Sequence, residues 1–286
     1  MTILLAGCGD LGTEAGLRFA AAGHRVVGWR RSPDKLPAEI ECVATDLSTA
    51  ELPPVPADTT ALVIAVAADA STEEAYRSAY VDGVTRVLDA LERDGVAPER
   101  VLFVSSTAVY GDAGGGWIDE NTTPAPAGFS GRIMLEAEEL LLKRLDGTGT
   151  SPVVLRLGGI YGPGRTRLID QVRTGVALIP AQPRYTNRIH RDDAAGAIVH
   201  LLSRPDTPAP VYLGVDNDPA ELGDVLRFLA AELGLDVPPM GSLGEARGGN
   251  KQCSNALLRG TDFSFKYPSF REGYRDILAG VGVRHP

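Results

Sequence analysis

The stretch "LLAGCGDLGTEAG", residues 4–16, sets Gly7, Gly9 and Gly12 in GxGxxG order between an apolar run and a helical pattern. "TILLA" (2–6) reads as a buried strand, and residues from Asp10 to Ala22 read as a helix. That order suits the pyrophosphate of a dinucleotide. One glycine makes the tight turn, the second lets the backbone approach the phosphates, and the third packs helix against strand. The helix N-terminus then stabilises the phosphate charge. Gly7, Gly9, Asp10, Leu11 and Gly12 are therefore placed at a cofactor, with Cys8 read as a small loop residue.

Working outward, "HRVVGWR" (24–30), "ALVIAVAA" (61–68), "ERVLFVSS" (99–106) and "SPVVLRLGGIYG" (151–162) read as further strands. A helix is predicted from Ser71, where Ser71 and Glu74 have capping-box spacing, to about Arg93, with Val84, Val87, Leu88 and Leu91 on one stripe. Another runs through "LEAEELLLKRL". Near-continuous apolar strands separated by helices predict an α/β protein with a doubly wound parallel sheet, the Rossmann fold. After Gly164 the alternation weakens. "RDDAAGAIVHLLS" and "PAELGDVLRFLAAELG" read as helices and "PVYLGVD" as a strand, whereas "PPMGSLGEARGGNKQCSN" (238–255) reads as a mobile loop. The expected division is a dinucleotide-binding domain over 1–164, then a mixed region over 165–286 that completes the sheet and forms a smaller C-terminal substrate lobe.

The 286 residues are 44% hydrophobic and 23% charged, with a net charge of −9. That balance argues against a nucleic-acid or anionic-membrane surface. No apolar run approaches the ~20 residues that would span a bilayer, and the N-terminus lacks the basic region of a signal peptide. Cys8, Cys42 and Cys253 are scattered, without metal-ligand spacing. A reducing cytoplasm, no disulfide framework and no metal site are the expectations.

The second strand ends in "GWRRSPDK" (28–35). An NAD site usually offers an acidic side chain there for the ribose hydroxyls, whereas Arg30 and Arg31 suit the 2′-phosphate of NADP. The plainer alternative is a solvated basic pair. Asp46 in "ATDLS" faces the adenine or caps a helix; with Leu47 and with Ala65 after the next strand, it completes the cofactor set. NADP is favoured over NAD.

The order and spacing of the glycine loop, "ATDL", "SSTAVYG", "LRLGGIYGPGR", "IHRDDAAGAI" and "FKYPSFREGYRDIL" resemble the extended short-chain dehydrogenase/reductase superfamily, in its NAD-dependent epimerase/dehydratase group. The resemblance runs nearly end to end. It implies a nicotinamide cofactor, a C-terminal lobe holding a small-molecule, sugar-derived substrate, and hydride chemistry at a hydroxyl-bearing carbon. It also implies chains that pair through helices into a homodimer.

Two departures stand out. Extended members carry GxxGxxG, one residue longer than this loop, so the chain resembles an atypical branch. The family also places a Ser or Thr, here Ser106, on the substrate oxygen, and a Tyr with a Lys one helical turn later as the acid/base pair. A phenol titrates near ~10, so a neighbouring cation is what makes it useful at neutral pH. Aligning "SGRIMLEAE" (130–138) puts Ser130 and Met134 at those two positions. Serine is too weak an acid and a thioether carries no proton. No shift of register restores the pair, because no Tyr or Lys occurs between Asp112 and Leu142.

Two explanations stay open. In one, the acid/base role has moved to Tyr110, Tyr161, Tyr185 or His190, with Arg188 and Arg191 binding an acidic group. In the other, the chain binds NAD(P) without turnover, as a sensor or a member of a complex. A helix without catalysis would use Ser130 as N-cap, solvate Glu136 and Glu138, and bury Ile133, Leu135, Leu140, Leu141 and Leu142. Ser105 and Ser106 would then only satisfy backbone groups at the strand end.

Overall fold

A computed structural model describes residues 1–49, 51–242, 244 and 248–286. Four of the residues read as a mobile loop, Leu243, Glu245, Ala246 and Arg247, lie outside the described residues.

Seven strands form one parallel sheet: β1 (Thr2–Ala6), β2 (Arg25–Arg30), β3 (Glu41–Ala44), β4 (Thr59–Ile64), β5 (Arg100–Ser106), β6 (Ser151–Leu157) and β7 (Val211–Gly214). Their spatial order is β7-β6-β5-β4-β1-β2-β3. The chain winds from β1 to one edge through β2 and β3, then crosses to β4 and proceeds to the other edge. The crevice at such a reversal, outside the carboxyl ends of β1 and β4, is where doubly wound folds hold their ligands. Edge strand β3 escapes the sequence reading because only Cys42 and Val43 are half-buried and the alternation is short.

Alternate residues of β1 point to opposite faces of the sheet. Leu4 and Ala6 join a core with α2 (Gly83–Asp94) and α3 (Phe129–Leu145). Ile3 and Leu5 join a second core with α1 (Asp10–Ala21) and α4 (Arg191–Ser203). The sequence past Gly164 thus supplies both α4 and the edge strand β7. A third core gathers Ile169, Val172, Leu226, Leu229, Phe270 and Tyr274 with α5 (Leu222–Leu233) and α6 (Phe270–Leu278). Among the described residues no helix is long and apolar enough to cross a membrane.

Two local expectations are corrected. The helix predicted to open at Ser71 is capped by Thr72, whose hydroxyl accepts from the Ala75 amide; the residue closer to the first turn reaches that donor better. The same helix widens to i→i+5 winding over Arg77–Asp82 before α2, a local form that often marks a functional cleft. Helix α3 begins at Phe129 with Gly128 as its cap, so Ser130 lies inside the first turn and does not cap it.

Candidate cofactor and substrate site

The glycine loop is shaped by close backbone approach. Gly7 has φ +88°, and a Cβ there would lie 2.7 Å from the Ala65 carbonyl oxygen; one on Gly12 would lie 2.8 Å from the Gly7 oxygen. A Cβ on Gly9 would meet nothing within 4 Å, so protein packing does not require a glycine here. Gly9 is also the N-cap of α1, and no side chain caps the helix. Asp10, although in the first turn, is turned aside. Its carboxylate accepts from Arg165 Nε at 3.0 Å, Arg191 at 2.8 Å and the His285 amide at 3.1 Å. Two guanidinium groups therefore neutralise Asp10, and the first amides of α1 remain for an anion.

Two cavities meet at this loop, sharing Gly9 and Ala65–Ala67. The first, about 480 Å³, is lined by Gly7, Arg30, Arg31, Asp46, Leu47 and Ala65 among others. Arg30 donates to the Cys8 carbonyl at 3.2 Å and to the Pro286 carbonyl at 2.6 Å. Arg31 forms a two-pronged, exposed pair with Asp69, both bonds 2.7 Å. Asp46 accepts from the Ser48 amide and hydroxyl, which hold its carboxyl below the usual range. The second of the pair, about 440 Å³, is lined by Gly9–Gly12, Tyr76, Tyr80, Ser106, Ser130 and Met134. An uncapped helix start between a cation-lined cavity and a serine-lined one fits the pyrophosphate of a dinucleotide between its two nucleoside halves.

A third cavity of about 690 Å³ shares Ser106, Ala108, Gly158, Ile160 and Arg165 with the serine-lined one. Its wall carries Arg165, Arg167, Arg184, Arg188 and Lys251, and its described lining holds no Asp or Glu. In a chain of net charge −9 that is a local reversal of sign.

Behind β5 and α3 lies a buried polar network. Glu138, 1% exposed, takes a two-pronged ion pair from Arg156, with Nη2–Oε2 at 2.6 Å, and a hydrogen bond from the Ser105 hydroxyl. Arg156 also donates to the Tyr110 phenol at 2.6 Å. Glu138 was expected in solvent; it is buried because the helical repeat that buries Met134 and Leu141 also turns position 138 toward the sheet.

A model of the NAD dependent epimerase/dehydratase family matches residues 3–213. The chain belongs to that family. Among its relatives, Protein YeeZ of Escherichia coli strain K12 is 29% identical over 281 residues, covering 93% of this chain and 96% of YeeZ. The dTDP-6-deoxy-L-talose 4-dehydrogenase (NAD(P)(+)) of Kitasatospora kifunensis is 30% identical over 257 residues, covering 81% and 79%. A solved structure from Methylobacillus flagellatus, provisionally described as an NAD-dependent epimerase/dehydratase, is 38% identical with a TM-score of 0.78 over 98% of each chain.

Within this epimerase/dehydratase fold the residues singled out from sequence separate into groups. Gly7, Gly9, Asp10, Leu11, Gly12, Arg30, Arg31, Asp46, Leu47 and Ala65 all line the two cavities at the loop. Ser106, which the resemblance puts on the substrate oxygen, lies where the serine-lined and cationic cavities join; its Oγ accepts from the Ala108 amide at 3.2 Å. Tyr161, Tyr185 and Arg188 line the cationic cavity. The Tyr161 phenol, however, points at the Ser269 carbonyl, 3.3 Å away, with its ring against Tyr274, and burial pushes its pKa far up. Tyr110 and His190 lie outside the three cavities. Burial pushes Tyr110 up to about 12. His190 accepts from the Asp192 amide through Nδ1, capping α4, and its ring packs 4.0 Å from that of Tyr267; burial lowers it to about 4. Arg191 is spent on Asp10 and Asp192. Arg165, Lys251 and Tyr80 are cavity residues that the sequence did not single out. Periodicity marks none of them, because each arrives from a segment distant in sequence from Ser106.

Proposed function

We propose that this chain is an NADP-preferring oxidoreductase or epimerase-like enzyme acting at a hydroxyl-bearing carbon of an anionic, sugar-derived small molecule. The observation that carries the reading is the meeting of two cavities at Ser106. One is reached from the uncapped glycine loop, and the other is walled by cations without an acid among the described lining residues. When bound at the first, the nicotinamide would supply the hydride acceptor or donor. The Ser106 hydroxyl, whose oxygen already accepts from Ala108, keeps its hydrogen for a substrate oxygen at the junction. Arg188, with Arg167 and Arg184, balances the substrate's negative charge. The Kitasatospora relative, named for a dehydrogenase that uses NAD(P)(+) on a nucleotide-linked deoxysugar, supports the same class. Arg30 and Arg31 at the adenosine end support NADP. The exposed Arg31–Asp69 pair contributes at most ~1 kcal/mol, so a 2′-phosphate can take that guanidinium over. A cytoplasmic location and a homodimer complete the reading.

The non-catalytic reading is favoured by one feature, Ser130 and Met134 at the helix positions where the family carries its acid/base pair. Incubation with NADP or NAD and a panel of UDP- and dTDP-linked sugars separates the two. The enzyme reading expects reduced cofactor to accumulate, or an epimeric sugar to appear. Tight cofactor binding with neither product would leave the binder.

A further inference from the structure

The segment Gly248–Cys253, read from sequence as a mobile loop, is bound on both sides. The Asn250 amide donates to Asp112 at 2.8 Å, and its carbonyl accepts from Ala113 at 3.0 Å and Gly115 at 2.9 Å. Its side-chain oxygen accepts from the Tyr185 amide at 2.8 Å. Asn187 brackets the next residues, donating to the Lys251 carbonyl at 3.0 Å and accepting from the Cys253 amide at 2.7 Å. Gly249, at φ +72°, lies so close to the Gly111 carbonyl that any Cβ would collide with it.

This frame holds Lys251 in the wall of the cationic cavity with 2% of its surface exposed. Its Nζ donates to the Gly111 carbonyl at 2.9 Å and to the Gly248 carbonyl. Gly111 follows directly on the turn Thr107–Tyr110 that Ser106 caps. Among the described residues no carboxylate pairs with the ammonium. Burial pushes the Lys251 pKa below the ordinary lysine range; Asp112 is near enough to offset this in part, but its oxygens serve the Asn250 and Gly114 amides. Among the described residues the two neutral carbonyls leave one N–H of the ammonium without an acceptor, and burial disfavours its charge unless an anion comes close.

We infer that Lys251 is the cavity's counter-charge for a carboxylate carried by the substrate close to the carbon that Ser106 faces. The inference rests on the cationic cavity being the substrate site. One remaining donor matches one carboxylate oxygen, and the ammonium's place against the Ser106 turn puts that oxygen at the reacting end. Arg184 and Arg167 remain for charge elsewhere on the ligand. Lys251 thus selects acidic sugars over neutral ones.

The test compares two probes that differ only in the carboxylate, UDP-glucuronic acid and UDP-glucose, by calorimetry on the NADP-loaded protein. The wild type is expected to bind the glucuronate at least about tenfold more tightly, and Lys251→Met to erase that preference. The ratio is insensitive to partial loss of fold, and Lys251→Arg, which keeps the charge, should retain part of it. No preference in the wild type, a preference that survives Lys251→Met, or binding of neither sugar overturns the inference. Reduced-cofactor absorbance is followed in parallel. A carboxylate preference without turnover keeps Lys251 and removes the oxidoreductase reading, whereas turnover without preference does the reverse.

Discussion

The two walls of the crevice are built by different means. The glycine-loop wall is local: one strand, one turn and the start of one helix, within Thr2–Ala21, and what it would offer a ligand is backbone. The opposing wall is lined by Ser106, Arg165, Arg188 and Lys251, which sit on separate segments and whose chemistry lies in their side chains. Only one of these two kinds of site is announced by its sequence. Backbone sites leave glycines at fixed spacing, whereas assembled side-chain sites leave isolated residues whose company depends on the fold.

The largest expected effect lies in the buried network behind β5 and α3, at the strand that carries Ser106. Glu138→Gln removes the carboxylate that compensates Arg156 in the interior. A loss of about 3–5 kcal/mol is expected in denaturant unfolding, because an unpaired charge is left buried. A loss below about 1 kcal/mol would mean that the network is ornamental.

The glycine loop can be dissected next. Gly7→Ala sets a Cβ against Ala65 and asks a positive φ of alanine, so about 2–4 kcal/mol of stability should go, together with cofactor binding. Gly9→Ala meets no protein atom, so melting should hardly move while dinucleotide affinity falls by about tenfold or more. Equal effects on both properties in both variants would erase the assignment of Gly7 to the protein and Gly9 to the ligand.

The cap of α4 supplies a smaller, pH-dependent effect. His190 is held neutral in the fold, its pKa lowered from the ordinary 6.5 to about 4 by burial. As pH falls, the unfolded chain takes up the proton first, so this contribution is absent above neutrality and destabilises progressively from about pH 6.5 toward 4. Unfolding at about pH 4.5 should show roughly 2–3 kcal/mol of acid sensitivity that His190→Asn, which keeps a cap without titrating, removes. Equal acid sensitivity in both proteins would mean that the fold leaves the His190 pKa at its ordinary value.

Most of the fold was legible. The sheet strands are near-continuous apolar runs because helices cover both faces, and the loop glycines stand at the spacing that phosphate binding requires. What stayed hidden has specific causes. Edge strand β3 has no strongly buried face, and Glu138 looks like a surface acid until β6 brings Arg156 behind it. His190 reads as chemistry from sequence, yet its nitrogen is used by the main chain of α4. Lys251 sits amid glycines, in a stretch whose order comes from Asn187, Asn250 and Asp112 rather than from any repeat of its own.

The most direct measurement is a calorimetric titration of the protein with NADP and with NAD, repeated for Arg30→Ala/Arg31→Ala. The account predicts that both dinucleotides bind, that NADP binds more tightly by about tenfold, and that the double variant loses this preference while still binding NAD. Failure of both dinucleotides to bind, or tighter binding of NAD by the wild type, would contradict it.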